Sequence, residues 1–367
     1  MKKLISALLC LFAVFSLAPR AQALSVSAES AVLIEAESGE IIYEKNAHKR
    51  RGMASTTKIM TAICAMENMD VSDIVTVPRE AAGIEGSSIY LREGEAITLE
   101  NLLYALMLQS ANDAAAAIAI ATSGSIEAFA ELMNAKAAEL GLSDTHFENP
   151  HGLDGEAHYT TAYELAKIAA YALRNEAFAR IAATVKHTVP ATELSPARTL
   201  VNHNRLLREH DDIIGVKTGY TKKCGRTLVS AARQGGITLV AVTLCDGDDW
   251  RDHRAMLDHG FELYGEETVC REGEFTVSVP VTGGETAEVM CENREALSAV
   301  LRKSHGEIST KTELPRFIYA GARKGDAVGK VRFYEGGREI GSLTLHLAED
   351  VAKKAGKKGF FSNLQSG

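Results

Sequence analysis

The chain has 367 residues, 46% of them apolar and 24% charged, with a formal net charge of -8. That balance excludes a disordered polymer and a membrane-embedded bundle, and the length is enough for two domains of ordinary size. The acidic excess argues against nucleic acid as the main partner, because phosphate binding calls for a basic face. A neutral cell-wall or peptide substrate is compatible with it.

In chain order, Lys2 and Lys3 precede an apolar run over residues 4–18, and Ala21-Gln22-Ala23 follows. A basic start, a short apolar run and small residues before a cleavage point predict a secretory signal peptide over residues 1–23. The run is shorter than the roughly 20 residues a membrane span needs. Export to the cell wall or the outer face of the cytoplasmic membrane is therefore expected. Cys10 follows Leu9 where a lipoprotein site needs a small residue, so it does not read as lipidated. The remaining cysteines, Cys64, Cys224, Cys245, Cys270 and Cys291, are odd in number and irregularly spaced. They read as thiols rather than a disulfide framework, with room for one bridge. The histidines show no metal-ligand spacing, and no metal or organic cofactor is expected.

Residues 30–43 predict a hairpin, with Glu37-Ser38-Gly39-Glu40 as its turn. Residues 55–67 place Ile59, Met60, Ile63 and Met66 on one helical face. Further helices are expected over 99–108, 113–121, 127–140 and 162–173, the alanine-rich second of these in the centre of a core. Beyond about residue 212 the pattern turns β-like, at 213–216, 227–232 and 237–244, with Gly235-Gly236 as a turn. A helix over 254–264 closes the segment. Short glycine-punctuated strands are then expected at 275–281, 287–290, 317–320, 327–334 and 339–347. They suggest an all-β domain of roughly 75 residues, a small but feasible unit.

Three short segments carry chemistry. Ser55-Thr56-Thr57-Lys58 opens a helix, and residues three apart share a helical face, so the Ser55 hydroxyl and the Lys58 amine can meet. A serine needs a base to take its proton, and lysine is a base only when burial or a nearby cation depresses its pKa. Alone the pattern is weak, since a capping serine followed by a surface lysine looks the same. Ser110-Ala111-Asn112 lies between two helices, where a hydroxyl and an amide could relay a proton and hold a substrate amide, or simply form a turn. Lys217-Thr218-Gly219 follows a β-like run. A strand edge there could bind an extended peptide, with lysine and threonine at its carboxylate and glycine permitting close approach. Lys217 would also add a second positive charge near Lys58.

Together, SxxK, SxN and KTG in this order and context are the signature of penicillin-binding proteins and serine β-lactamases. The sequence resembles the low-molecular-mass D-alanyl-D-alanine carboxypeptidases. Gly86-Ser-Ser88, Arg92-Glu-Gly94, Asn149-Pro-His-Gly-Leu-Asp154 and Lys217-Thr-Gly-Tyr-Thr221 extend the likeness over nearly the whole mature chain. The resemblance implies an α/β transpeptidase-like domain over residues 28–265, a mixed sheet flanked by helices, and an all-β domain over 272–348. It implies Ser55 as nucleophile, Lys58 as general base, Ser110 as proton shuttle and Asn112 as a positioning residue. Lys217 and Thr218 would bind the substrate carboxylate, and the backbone N–H groups of Ser55 and Tyr220, beside Gly219, would form an oxyanion hole.

The implied partners are a peptidoglycan stem peptide ending in D-Ala-D-Ala and β-lactams as covalent inhibitors. A β-lactamase would need a glutamate positioned for fast deacylation, and no fitting Glu-x-x-x-Asn segment follows Ser110. Retained motifs in a non-catalytic wall-binding protein form the other reading, which intact Ser55, Lys58, Ser110, Asn112 and Lys217 oppose. His151 reads as part of a structural turn. Members of the family often carry a carboxylate-holding arginine near Arg251 and Arg254, but Asp248-Asp249-Trp250-Arg251 leaves its register open. In the tail, residues 349–367, Lys353, Lys354, Lys357, Lys358, Phe360 and Phe361 suit an anionic membrane surface, while Gly356 and Gly359 weaken a helix. Solvent and peripheral membrane contact are equally compatible with it.

Overall fold

The computed structural model describes residues 24–355. The signal-peptide reading, Cys10 and the last part of the basic tail lie outside the described residues. The chain divides into two compact units. One takes residues up to Arg233 with Thr238–Gly260, and the other takes Gln234–Ile237 with residues from Phe261 on.

In the first unit, β1 (Ser30–Glu35) and β2 (Ile41–Lys45) form the expected hairpin. Glu35 closes the turn, its carboxylate accepting the Ser38 backbone N–H at 2.7 Å. A 3-10 turn over Ala54–Thr57 leads into α1 (Lys58–Asn68). The short pair β3 (Ile74–Thr76) and β4 (Ala96–Thr98) precedes α2 (Leu99–Leu108), α3 (Asn112–Ser123) and α4 (Ile126–Glu139). Then come α5 (Ala162–Leu173), α6 (Glu176–Ala183), the hairpin of β5 (Lys186–Val189) with β6 (Arg198–Val201), and α7 (Leu206–Glu209). Strands β7 (Ile213–Thr221), β8 (Gly225–Gln234) and β9 (Ile237–Asp246) lead to α8 (Asp249–Leu263).

The main sheet runs β2-β1-β9-β8-β7, which leaves β7 as an edge strand. Period-two alternation gives the sheet two apolar faces. Val32 and Ile34 of β1, Val240 and Val242 of β9, and Val229 of β8 belong to the helical core. On the other face α8 approaches so closely that a side chain at Gly260 would collide with Leu33 and Leu239. His253 of α8 fixes that layer by bridging the Ser230 and Thr243 hydroxyls at 2.5 and 2.9 Å. The alanine-rich α3 is central, with Ala114–Ala117 fully buried. Small side chains there let α1, α2 and α4 pack close.

The second unit is all β. It comprises β10 (Tyr264–Cys270), β11 (Thr276–Thr282), β12 (Glu288–Asn293), β13 (Leu297–Arg302), β14 (Ile308–Glu313), β15 (Ile318–Tyr319), β16 (Ala327–Glu335) and β17 (Arg338–Leu347). Six of them form a sheet in the order β14-β16-β17-β12-β11-β15, and β10 pairs with β13. Val279, Cys291, Val331, Phe333, Leu345 and Leu347 line its core.

The fold class is the expected one, α/β with a sheet flanked by helices and an all-β C-terminal region. The structure adds elements that the periodicity does not announce. α8 begins five residues before the expected 254, because its first turn is acidic and its apolar spacing starts only at Met256. α6, β5 and β6 are short, and β14 is almost entirely exposed with a polar sequence. Cys64, Cys224, Cys245, Cys270 and Cys291 are all free thiols, so none of them forms the single bridge the spacing left room for.

The β5–β6 hairpin is held by a fully buried carboxylate. Glu95 receives both arms of the Arg198 guanidinium at 2.7 and 2.8 Å and further bonds from the Thr192 and Ser195 hydroxyls. Breaking a buried pair from one side strands the other charge. Arg198→Met is therefore expected to cost about 3–5 kcal/mol of stability, seen as a lowered thermal midpoint. Unchanged melting would show that the pair does not hold the hairpin.

Candidate active site

Four backbone segments meet at one place, three of them through a residue at positive φ. Ala54, just before Ser55, has φ +47, Ser110 has φ +58, and Gly152 has φ +87. Positive φ is costly for residues with a Cβ, and such strain collects where function demands it. The fourth segment is the edge strand β7.

Ser55 sits in the 3-10 turn and Lys58 opens α1, with Thr57 at the cap position and no side-chain capping bond. The arrangement is thus not a capping serine with a surface lysine. Lys58 is 0% exposed. Its Nζ lies 3.0 Å from Ser55 Oγ, 2.7 Å from Asn112 Oδ1 and 2.5 Å from the His151 carbonyl oxygen. Burial, then the charge of Lys217, hold its pKa well below the usual lysine range, against a smaller opposing pull from Asp113. A neutral lysine amine beside a serine hydroxyl is a competent base.

Asn112 is fixed from behind, its Nδ2 donating to Glu85 O at 2.5 Å and its backbone N–H to Ser87 O at 2.7 Å. A side chain at Gly86 would strike that amide, at 2.7 Å from Nδ2. Asp113 ties the same loop to α3 by accepting from the Ser88 hydroxyl at 2.6 Å and the Leu91 N–H at 3.0 Å. Ser110 Oγ is buried and makes no hydrogen bond among the described residues. An orphan hydroxyl in a native interior calls for an explanation such as a ligand.

A cleft of about 480 Å³ opens over these groups, lined among others by Ser55, Ser110, Thr218, Gly219 and Tyr220. Lys58, Asn112 and Lys217 are not on its wall but buried behind it. Gly219 passes so near the nucleophile turn that a Cβ there would lie 2.9 Å from Ser55 N and 2.4 Å from Thr227 Oγ1. Lys217 is 1% exposed, its Nζ donating to Thr218 O at 2.8 Å. Burial pulls its pKa down to about 7.

Sequence reasoning missed the partner that His151 supplies. Its backbone carbonyl, not its imidazole, contacts Lys58, and burial lowers the ring to about 3. The Pro150-His151-Gly152 turn was the available signal: a Cβ at Gly152 would fall 2.0 Å from Ala54 O. Also missed were His203, Arg226, Asp249 and Trp250 on the cleft wall. Trp250 is the only tryptophan in the chain, which was a cue. Arg251 pairs instead with Asp248 and Asp252, and Arg254 with Asp212 and Asp258; neither lines the cleft.

Residues 17–247 match the family described as D-alanyl-D-alanine carboxypeptidase, and residues 264–353 match the penicillin-binding protein 5 C-terminal domain. D-alanyl-D-alanine carboxypeptidase DacF of Bacillus subtilis is 33% identical over 97% of this chain and 96% of its own length. DacC of Escherichia coli, named as the same activity, is 30% identical over 98% of this chain and 92% of its own. The crystal structure of penicillin binding protein 5 from Haemophilus influenzae superposes with a TM-score of 0.69 at 26% identity, covering 90% of this chain and 98% of that one.

Lys217 yields a stability prediction. With a folded pKa of about 7 against the ordinary lysine value of 10.5, the unfolded chain binds more protons between those values. Stability therefore rises with pH across that window, and below it the buried charge costs stability. Lys217→Met removes the charge at little change in volume. Near pH 6 it should melt higher than the parent, and its curve should lack the parent's gain between roughly pH 7 and 10. Parallel pH dependences would show that this amine does not titrate in that range.

Proposed function

Because the chain belongs to the D-alanyl-D-alanine carboxypeptidase family and is a serine-type peptidase of that class, we propose that it removes the terminal D-alanine of peptidoglycan stem pentapeptides through an acyl-enzyme on Ser55. The observation that carries this is the buried Lys58 amine, its pKa held well below the usual lysine range and its Nζ in contact with Ser55 Oγ.

A neutral amine has two N–H groups and one lone pair. Asn112 Oδ1 and the His151 carbonyl take the two N–H groups, which leaves the lone pair for the Ser55 proton. Ser55 Oγ then attacks the carbonyl carbon between the two D-alanines. The backbone N–H groups of Ser55 and Tyr220 receive the developing oxyanion, where each such donor is worth on the order of 3 kcal/mol. Glycine at 219 lets β7 lie against the Ser55 amide. As the intermediate collapses, the proton passes by way of Ser110 Oγ to the departing D-alanine amine. The orphan state of that hydroxyl suits a group that completes its bonds only with substrate bound.

The peptide lies along β7 as an added strand, since the edge of that strand away from β8 is unpaired within the sheet. Lys217 and Thr218 receive its terminal carboxylate. Water entering the emptied leaving-group side releases the shortened peptide. β-Lactams enter the same route and stop at the ester. The substrate class places the enzyme outside the cytoplasm, in line with the amino-terminal pattern, and the basic tail would contribute at most a peripheral membrane contact.

Labelled penicillin should attach to a single peptide, the one containing Ser55, and Ser55→Ala should lose both the label and D-alanine release from a D-Ala-D-Ala peptide. Label retained in Ser55→Ala would refute the assignment. Ser110→Ala should keep the fold and lower kcat by about 10²–10⁴-fold, the usual worth of a positioned proton carrier. A wild-type kcat would remove Ser110 from the mechanism.

A further inference from the structure

A chain of hydrogen bonds that takes no part in the proton transfers runs behind the nucleophile turn. It starts at His158, a buried ring whose pKa burial lowers from the ordinary 6.5 to about 4. The Nδ1 of this ring accepts the Glu148 backbone N–H at 3.0 Å. In a neutral imidazole the other nitrogen then carries the proton, so Nε2 donates to Thr57 Oγ1, 2.7 Å away. The Thr57 hydroxyl has one proton of its own, which it donates to the Ala54 carbonyl oxygen at 2.8 Å. Every donor in the chain points the same way, from Glu148 toward Ala54.

The peptide unit at its end is the one that adjoins the nucleophile. Ala54 C=O and Ser55 N–H belong to one trans peptide, and in a planar trans peptide those two bonds point in opposite directions. Whatever fixes the carbonyl therefore fixes the N–H. The unit needs fixing, because Ala54 has φ +47, a conformation that persists only where the surroundings impose it. Two glycines pack against it. A Cβ at Gly152 would lie 2.0 Å from Ala54 O, and one at Gly219 would lie 2.9 Å from Ser55 N. Those contacts are steric, whereas the Thr57 hydroxyl adds a directed bond.

The far end of the chain is held as well. Phe147 meets the His158 ring edge-on, with ring centres 5.9 Å apart. A side chain at Gly155 would press on His158 Cβ at 3.3 Å. Thr57 is buried, so its hydroxyl bonds within the protein. His158 itself does not line the catalytic cleft.

We infer that His158, acting through Thr57, is a positioning residue for acyl transfer, orienting the Ala54–Ser55 peptide so that the Ser55 N–H points at the developing oxyanion. This rests on the acyl-enzyme reading above, in which that N–H is one of two oxyanion donors.

The test uses the whole enzyme and the variants Thr57→Val, Thr57→Ser and His158→Phe. Each is acylated with a penicillin isotope-labelled at its β-lactam carbonyl. Infrared difference spectra then give the stretching frequency of the ester carbonyl, which falls as oxyanion donors polarise the bond. Thr57→Val and His158→Phe should raise that frequency above the parental value. They should also lower kcat for D-alanine release roughly 10- to 100-fold, at or below the low end of losing a donor outright, with KM changed less than about threefold. Thr57→Ser keeps the hydroxyl and should return both readings to the parental values. The two Thr57 variants keep the test available if His158→Phe fails to fold. A parental frequency in Thr57→Val, a Thr57→Ser no better than Thr57→Val, or a loss confined to KM would overturn the inference.

Failure of the two claims looks different. If the parent forms no ester on Ser55, the acyl-enzyme reading fails and takes this inference with it. If the ester forms in every variant at one common frequency, only the role of His158 and Thr57 fails.

Discussion

Everything at this site turns on burying one lysine amine in the interior, where its pKa is held well below the usual lysine range. Lys58 starts α1 in the middle of the larger unit, where water cannot stabilise an ammonium, and Lys217 repels a proton from a second direction. A buried amine is tolerable only if its hydrogen-bonding capacity is used, and the surrounding chain is arranged to use it. Asn112 comes from α3, His151 from a turn, and Ser55 from one helical turn before the lysine. Three strained or left-handed residues, Ala54, Ser110 and Gly152, let these separate segments reach a single nitrogen. The packing of the surrounding helices offsets the strain.

The two lysines and the arginine divide the electrostatic work by chemistry. Lysine shifts its pKa readily when dehydrated, so it can be deprotonated in the interior; arginine cannot. Lys58 and Lys217 are accordingly fully buried, while the one arginine on the cleft wall is half open to solvent and supported by an aspartate and an indole. The sheet sorts them as well. Lys217 stands opposite Val229, on the face turned to the helical core, and Thr218 and Arg226 share the face turned to α8. The cleft lies along this edge strand, at Thr218, Gly219 and Tyr220.

Legibility of the fold followed burial. Elements with one apolar side, such as the β1–β2 hairpin, α1 and α2, announce themselves by spacing. α8 starts in Asp249-Trp250-Arg251-Asp252, whose side chains serve ion pairs and the cleft rather than a core, so its first turn has no apolar rhythm. β14 was silent because its pattern is exposed along nearly its whole length. At the site, Ser55, Lys58, Ser110, Asn112 and Lys217 were legible as residue types with particular neighbours. The His151 carbonyl was not, because any residue supplies a carbonyl and only its placement matters.

By itself, the sequence determined which side chains were available and their local relations. Ser55 and Lys58 are one helical turn apart, a small-residue helix follows Ser110, and a glycine sits where β7 must pass close to another backbone. Those are properties of neighbours, set by dihedral angles and spacing. Tertiary structure alone decided which groups would be dehydrated, because burial depends on the whole fold. It dehydrated Lys58 beside Ser55, pulled down the pKa of Lys217, left the Ser110 hydroxyl without a partner among the described residues and brought Arg226, not Arg251, to the cleft. The physical reason is that desolvation and long-range convergence are collective, and no short stretch of chain contains them.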